Sequence, residues 1–151
     1  MKLKLILSLT IITFFSCKKD EDISFNISNI KETTIENQKF QLIRTKLTNH
    51  TKDTIEYYGM SCSNQDFYFL NNNELFMNFD CNKNIPIIIK LLPKESNEVI
   101  LKLRKSRKIY YSDVKIGFFL YRVNKNKEFD FKQINSKSNL IMSNSISFEN
   151  D

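Results

Sequence analysis

Leu92-Pro93-Lys94-Glu95-Ser96-Asn97-Glu98-Val99-Ile100-Leu101-Lys102-Leu103-Arg104 (residues 92–104) reads as a turn running into a strand. Proline at the second position of Leu92-Pro93-Lys94-Glu95 presets the φ that a tight turn requires. Val99, Leu101 and Leu103 then alternate with Ile100, Lys102 and Arg104. In an extended chain successive side chains point to opposite faces, so this period makes one apolar and one largely cationic face. A half-buried strand needs antiparallel neighbours, and the flanking sequence offers them.

Ile85 to Leu92 is a near-continuous apolar run that reads as a buried strand, with Pro86 placing its start at an edge or strand entry. Towards the N-terminus, Ile23 to Ile27 alternates, 29–37 is polar and reads as loop, and Lys39 to Asn49 is a long strand candidate. Asn49-His50-Thr51-Lys52-Asp53 is a turn, because Asn and Asp side chains cap their own backbone. Thr54 to Tyr58 resumes with β-branched and aromatic residues. Between Asp66 and Asp80 the pattern predicts a hairpin turning on Asn71-Asn72-Asn73, with Phe69 opposite Leu75 and Phe67 opposite Met77. Val114 to Val123, Glu128 to Ile134 and Leu140 to Phe148 complete a set of about nine strands, separated by turns and a polar connector at 135–139. No stretch has a convincing helical period. The expected fold class is all-β, a β-sandwich in residues 23–151.

The Leu47-Thr48-Asn49 strand end, together with Leu92 to Ser96 before the alternating strand, resembles the immunoglobulin-like domains of exported bacterial proteins. That resemblance implies an immunoglobulin-like β-sandwich of about 7–9 strands. The same stretches are weakly similar to the intracellular proteinase inhibitor family, which shares such a sandwich. That likeness implies a module presenting a rigid loop, at Asn71 to Asn73, to an enzyme. Antibody domains join distant strands by a disulfide beside a buried Trp; here two of the cysteines lie close in sequence and there is no Trp. The likeness is architectural, and architecture does not give function.

The N-terminus sets the address. Lys2 and Lys4 precede an apolar run to Phe15 that is shorter than the ~20 residues a membrane span needs, the layout of a secretory signal. It ends in Phe14-Phe15-Ser16-Cys17, which resembles the lipobox of bacterial lipoproteins. The resemblance implies a signal peptide over residues 1–16 and acylation of Cys17 as the mature N-terminus. The bland alternative is a plain signal or an uncleaved anchor. Three acyl chains would hold the protein to a membrane without a spanning helix. Residues 17–22 then form a charged tether. Its Lys18-Lys19-Asp20-Glu21-Asp22 resembles the surface-display signal of Bacteroidetes-type lipoproteins, implying an outer-membrane, cell-surface location, with a periplasm-facing one as the alternative.

Removing the leader, which carries Lys2, Lys4 and no acids, takes the net charge from +6 to +4. That is mild and gives no argument for nucleic acid. The chain has only 2 Gly and 2 Pro, so turns needing positive φ must lean on Asn. Lipidation of Cys17 would leave Cys62 and Cys81 as a pair. In an oxidising compartment a disulfide is the default, with free thiols or a metal site as alternatives. The loop it closes, about 20 residues, corresponds to about 3 kcal/mol. Register leaves its place open: it ties the base of a bulged hairpin, or it links two loops.

Chemistry is sparsely signalled. His50 is the single imidazole and sits in a polar turn, so a nucleophile–imidazole pair finds no obvious partner. No HExxH, phosphate-binding Gly loop or EF-hand loop occurs, and nothing implies a cofactor. The expectation is a non-enzymatic module that binds an unidentified protein or glycan or serves in an envelope assembly. Lys102, Arg104, Lys105, Arg107 and Lys108, ahead of Tyr110-Tyr111, are the candidate binding residues. Clustered cations recruit acidic glycan, anionic lipopolysaccharide or an acidic protein patch through steering and Arg pairing. The plain reading of the same run is a solvated strand end. Tyr57-Tyr58-Gly59-Met60 is either an aromatic contact patch or core and edge packing, with Gly59 marking a bulge or tight bend.

Overall fold

The computed structural model describes residues 22–78, 81, 83–105, 111–130, 132, 134 and 136–148. The leader, Cys17, most of the tether, Arg107 and Lys108 lie outside the described residues. The protein is a β-sandwich of antiparallel sheets. Its strands are β1 (Ile23–Ile35), β2 (Gln38–Asn49), β3 (Ile55–Met60), β4 (Tyr68–Leu70), β5 (Leu75–Met77), β6 (Pro86–Leu91), β7 (Ser96–Lys105), β8 (Tyr111–Val114), β9 (Ile116–Phe119), β10 (Leu140–Met142) and β11 (Ile146–Phe148).

One layer is the sheet β1-β2-β7-β5. The other is assembled from shorter pieces that share lanes. β8 and β9 follow one another, as do β10 and β11, and the two lanes pair along their length with a bulge at Asp113 (φ 54°). β4 pairs with β9, while β3 pairs with the chain just beyond it through Tyr58 N–H to Tyr121 C=O and Val123 N–H to Glu56 C=O, both 2.9 Å. β6 adds to the far side of β3. Merging interrupted lanes brings the eleven strand segments within the expected range. The first layer sets β7 beside β2 and β5 beyond β7, as an immunoglobulin-type A-B-E-D sheet does. The second layer follows the G-F-C order, with β6 as an added edge.

The alternating strand after Pro93 is β7, and its period holds: Leu101 and Leu103 are fully buried, while Ile100, Lys102 and Arg104 are exposed. Inward residues of β1 and β2 (Ile23, Phe25, Ile27, Ile43, Leu47) meet Tyr57, Phe67, Tyr68, Val114, Ile116 and Phe118 from the other layer. Each such burial is worth about 1.5–3 kcal/mol relative to exposure. Phe118 lies at the centre, with ring centroids 5.3–6.3 Å from Phe25, Tyr57, Phe67 and Tyr68.

Several local expectations are corrected. The polar stretch 29–37 is not loop: β1 runs to Ile35 and turns on Glu36-Asn37, both at positive φ (48° and 63°), into β2. Its outer half is held by the main-chain ladder rather than by burial, so no apolar alternation marks it. No described glycine has positive φ; Glu36, Asn37, Lys94 and Asp113 take those positions.

The hairpin at 66–80 does not form. β4 joins the β9 layer and β5 joins β7, so the segment crosses between sheets. Asn71 imposes this: its main-chain N–H reaches Lys115 C=O (3.2 Å), its Oδ1 accepts from Lys115 N–H (2.8 Å), and its Nδ2 donates to Asp113 C=O (3.0 Å). The chain is thereby pinned to the β8–β9 junction and cannot fold back on β4. None of the described residues of Glu128 to Ile134 lies in a strand; Phe129 packs on Tyr58 (4.5 Å), and Ile134 is buried in the core. Ile85 to Leu92 is a strand but not a buried one, since β6 is an edge with most of its residues exposed.

Candidate binding face

Antiparallel register converts scattered charges into one surface. Across β1, β2 and β7, Lys31 lies opposite Leu42 and Leu42 opposite Lys102. In neighbouring rows Arg44 pairs with Ile100, Lys46 with Glu98, and Arg104 with Phe40 on one side and Phe76 on the other. With strands about 4.8 Å apart and same-face residues about 7 Å apart along each strand, five cations share the outer face of this sheet. Glu98 is the carboxylate among them, shared between Arg44 (3.7 Å) and Lys46 (3.5 Å). These exposed pairs contribute about 0–1 kcal/mol to stability. Lys31, Lys102 and Arg104 have no carboxylate within salt-bridge range among the described residues.

The face also has apolar footholds. Phe76 (47% exposed) and Ile100 (57%) lie among the cations, and the Arg104 guanidinium sits 6.0 Å from the Phe76 ring centroid. Such stacking keeps a guanidinium extended over the surface with its donors available. Of the residues singled out in sequence, Lys102 and Arg104 belong to this face. Lys105 ends β7, its side chain lying outside the description, as do Arg107 and Lys108 entirely. Lys31, Arg44, Lys46 and Phe76 were missed. β2 alternates like any half-buried strand, and nothing local says that its cations sit beside those of β7.

Cys62 and Cys81 stand with Cα atoms 6.0 Å apart, inside the range a disulfide spans. They link two loops, not the base of a hairpin. Cys62 lies in the segment between β3 and β4, and Cys81 in the connector from β5 to β6. Asn84 braces the same corner: its Oδ1 accepts from Cys62 and Ser63 N–H (3.2 Å each), and its Nδ2 donates to Ser63 C=O (2.6 Å). Gly59 serves this corner by close approach, not by a bend. A Cβ there would meet Ile89 Cδ1 at 2.5 Å and Asn64 Oδ1 at 3.2 Å. Tyr57 of the aromatic quartet is core, and Tyr58 packs outward on Tyr121 and Phe129.

His50 is exposed, and its Nε2 lies 2.8 Å from Ser24 Oγ. Its neighbour Asn49 is fully buried. Asn49 Nδ2 donates to the carbonyls of Asp53 (2.8 Å), Leu91 (3.0 Å) and Leu92 (3.2 Å), while Oδ1 accepts from Thr51 N–H (2.9 Å) and Oγ1 (2.7 Å). The formal Asn49-His50-Thr51 glycosylation sequon therefore has its amide inside the fold.

Proton chemistry finds little support. Burial pushes the Tyr68 hydroxyl up to about 12, and burial also raises Tyr57, so both stay neutral hydrogen-bonding groups at ordinary pH. A shallow cleft of about 560 Å³ near the start of the domain is lined in part by Asp22, Asp53, Glu56 and Arg122. Lys90, hydrogen-bonded to Glu56 at 3.0 Å, holds that carboxyl below the usual range, the reverse of what a general acid needs. Among the described residues no three His, Cys, Asp or Glu side chains gather where they could hold a metal ion, and no helix is long and apolar enough to cross a membrane.

No family model, curated protein or solved structure matches the chain.

Proposed function

We propose that the chain is a non-enzymatic lipoprotein of the bacterial outer membrane, held by acyl chains on Cys17 and displayed at the cell surface, where its sandwich recruits an acidic protein or glycan. The observation that supports the binding part is the cationic outer face of β1-β2-β7-β5. Lys31, Arg44, Lys46, Lys102 and Arg104 converge there, of which only Arg44 and Lys46 are paired, among the described residues, with a carboxylate, that of Glu98; Phe76 and Ile100 are exposed between them. Clustered charge of one sign raises encounter rates with oppositely charged partners, and aromatic and Arg side chains supply contact energy once docked. The anchoring part is supported by Phe14-Phe15-Ser16-Cys17 and the charged tether behind it.

The anchor has its own test. Cys17→Ser should abolish incorporation of labelled fatty acid and move the protein out of the membrane fraction; undiminished lipid labelling of the variant would refute it. The face is tested by capture from cell envelopes with the unlipidated domain as bait, comparing wild type with Lys102→Glu/Arg104→Glu. The alternative is an inhibitor-like module presenting a rigid loop to an enzyme; in the loop at Asn71 to Asn73, Asn71 is bonded to the β8–β9 junction.

A further inference from the structure

The outer edge of β6 is a second interaction surface, on the opposite layer from the cationic face. Among the described residues β6 pairs with β3 alone. Ile85 (50%), Ile87 (38%), Ile88 (53%) and Leu92 (54%) are exposed on and around it. Ser61 N–H donates to Ile85 C=O (2.9 Å), so odd-numbered residues of β6 direct their main-chain groups at β3. Even-numbered residues then direct theirs outward: Ile88 and Lys90 present both N–H and C=O, and Pro86 presents C=O only. Leu92 N–H is already taken by Glu95 Oε2 (2.7 Å).

We infer that this edge pairs with the β6 edge of a second copy, antiparallel about a two-fold axis centred on Ile88. In that register Ile88 N–H meets Ile88 C=O of the second copy and Lys90 N–H meets Pro86 C=O, each bond repeated by symmetry. Every outward donor of β6 is satisfied, and the missing donor of Pro86 costs only the Lys90 carbonyl its partner. Ile87 falls opposite Ile89 of the second copy, and the two Ile88 side chains meet on the axis, covering the exposed aliphatic row.

Charge disfavours the registers shifted toward Lys90. Centred on Ile88, the two Lys90 residues lie roughly 13 Å apart along the strands at about 3.4 Å per residue. Centred on Ile89, they become diagonal neighbours about 7–8 Å apart, and centred on Lys90 they meet directly. Within each copy Lys90 keeps Glu56 (3.0 Å). The contact is self-complementary, as a closed two-fold dimer requires, and it leaves the β1-β2-β7-β5 face free. The inference therefore stands apart from the binding proposal.

The test is sedimentation velocity on the mature chain carrying Cys17→Ser, over a dilution series reaching about 100 µM, because an interface built on one strand edge is small and weak. Wild type should show a reversible monomer–dimer equilibrium. Ile88→Lys, which sets two ammonium groups on the axis, should shift it to monomer with an unchanged far-UV spectrum. Mixing Ile88→Lys with Ile88→Asp should restore the dimer. Monomer throughout the wild-type series, a dimer untouched by Ile88→Lys, or a mixture that stays monomeric would each overturn the inference.

Discussion

Asn49→Ala is expected to destabilise the domain by about 3–5 kcal/mol, among the larger effects a single substitution can have. One buried amide serves the carbonyls of Asp53, Leu91 and Leu92 and the N–H and hydroxyl of Thr51, thereby joining the β2–β3 turn to the end of β6. Its own main chain ties the same turn to the β6–β7 turn, through Asn49 N–H to Glu95 C=O (3.0 Å) and Lys94 N–H to Asn49 C=O (2.9 Å). Truncation leaves the buried Leu91 carbonyl without its partner, a loss of about 1–3 kcal/mol, and removes the part-buried bonds to Asp53, Leu92 and Thr51, each worth about 1 kcal/mol. Asn49→Asp keeps the volume but replaces the donor with an acceptor aimed at carbonyls, so it should be no milder. Urea unfolding checks this through a shift in midpoint at constant slope. A loss below about 1 kcal/mol, the net worth of one ordinary hydrogen bond, would show that the turn is held otherwise.

Phe118→Ala should cost about as much, 3–5 kcal/mol, by a different route. The ring contacts Phe25 of one layer and Tyr57, Phe67 and Tyr68 of the other. Phe25, Tyr57 and Tyr68 are fixed on paired strands and Phe67 in the short turn before β4, so they cannot collapse into the space left by the missing side chain, and a cavity term adds to the lost transfer energy. For a domain of this size the fall in Tm is about 10–20 °C. Phe118→Leu should retain more than half of the lost stability. Equal losses for Ala and Leu would mean that ring-to-ring geometry, rather than filled volume, holds the centre of the sandwich.

The two substitutions mark where sequence reading succeeds and where it stops. The period of β7 was legible because both consequences of alternation, burial of Leu101 and Leu103 and exposure of Lys102 and Arg104, are local. The fate of 66–80 was not. A hairpin and a crossover share the same alternation, and Asn71 decides between them through bonds to a segment 42–44 residues away. Asn49 was legible as a turn residue but not as a buried one, because its carbonyl partners Leu91 and Leu92 lie at the end of β6. The binding face divides in the same way. Lys102 and Arg104 stand out in a charged run, whereas Lys31, Arg44 and Lys46 join them only through register. The edge of β6 misled by composition: three consecutive isoleucines look like core, yet only Pro86 hinted that the strand lies outermost.

Capture from cell envelopes is the most direct measurement of the central claim, that the outer face of β1-β2-β7-β5 is the working surface. Wild-type bait should retain an acidic component in low salt and release it as ionic strength rises, since exposed charges are screened within about 10 Å at 0.1 M. Lys102→Glu/Arg104→Glu should retain at least about tenfold less, equivalent to 1.4 kcal/mol or more. Lys127→Glu/Lys137→Glu, with the same change in net charge but away from this face, should retain as much as wild type. The same component recovered in equal amount with the Lys102/Arg104 variant, or lost equally with the control pair, would contradict the account.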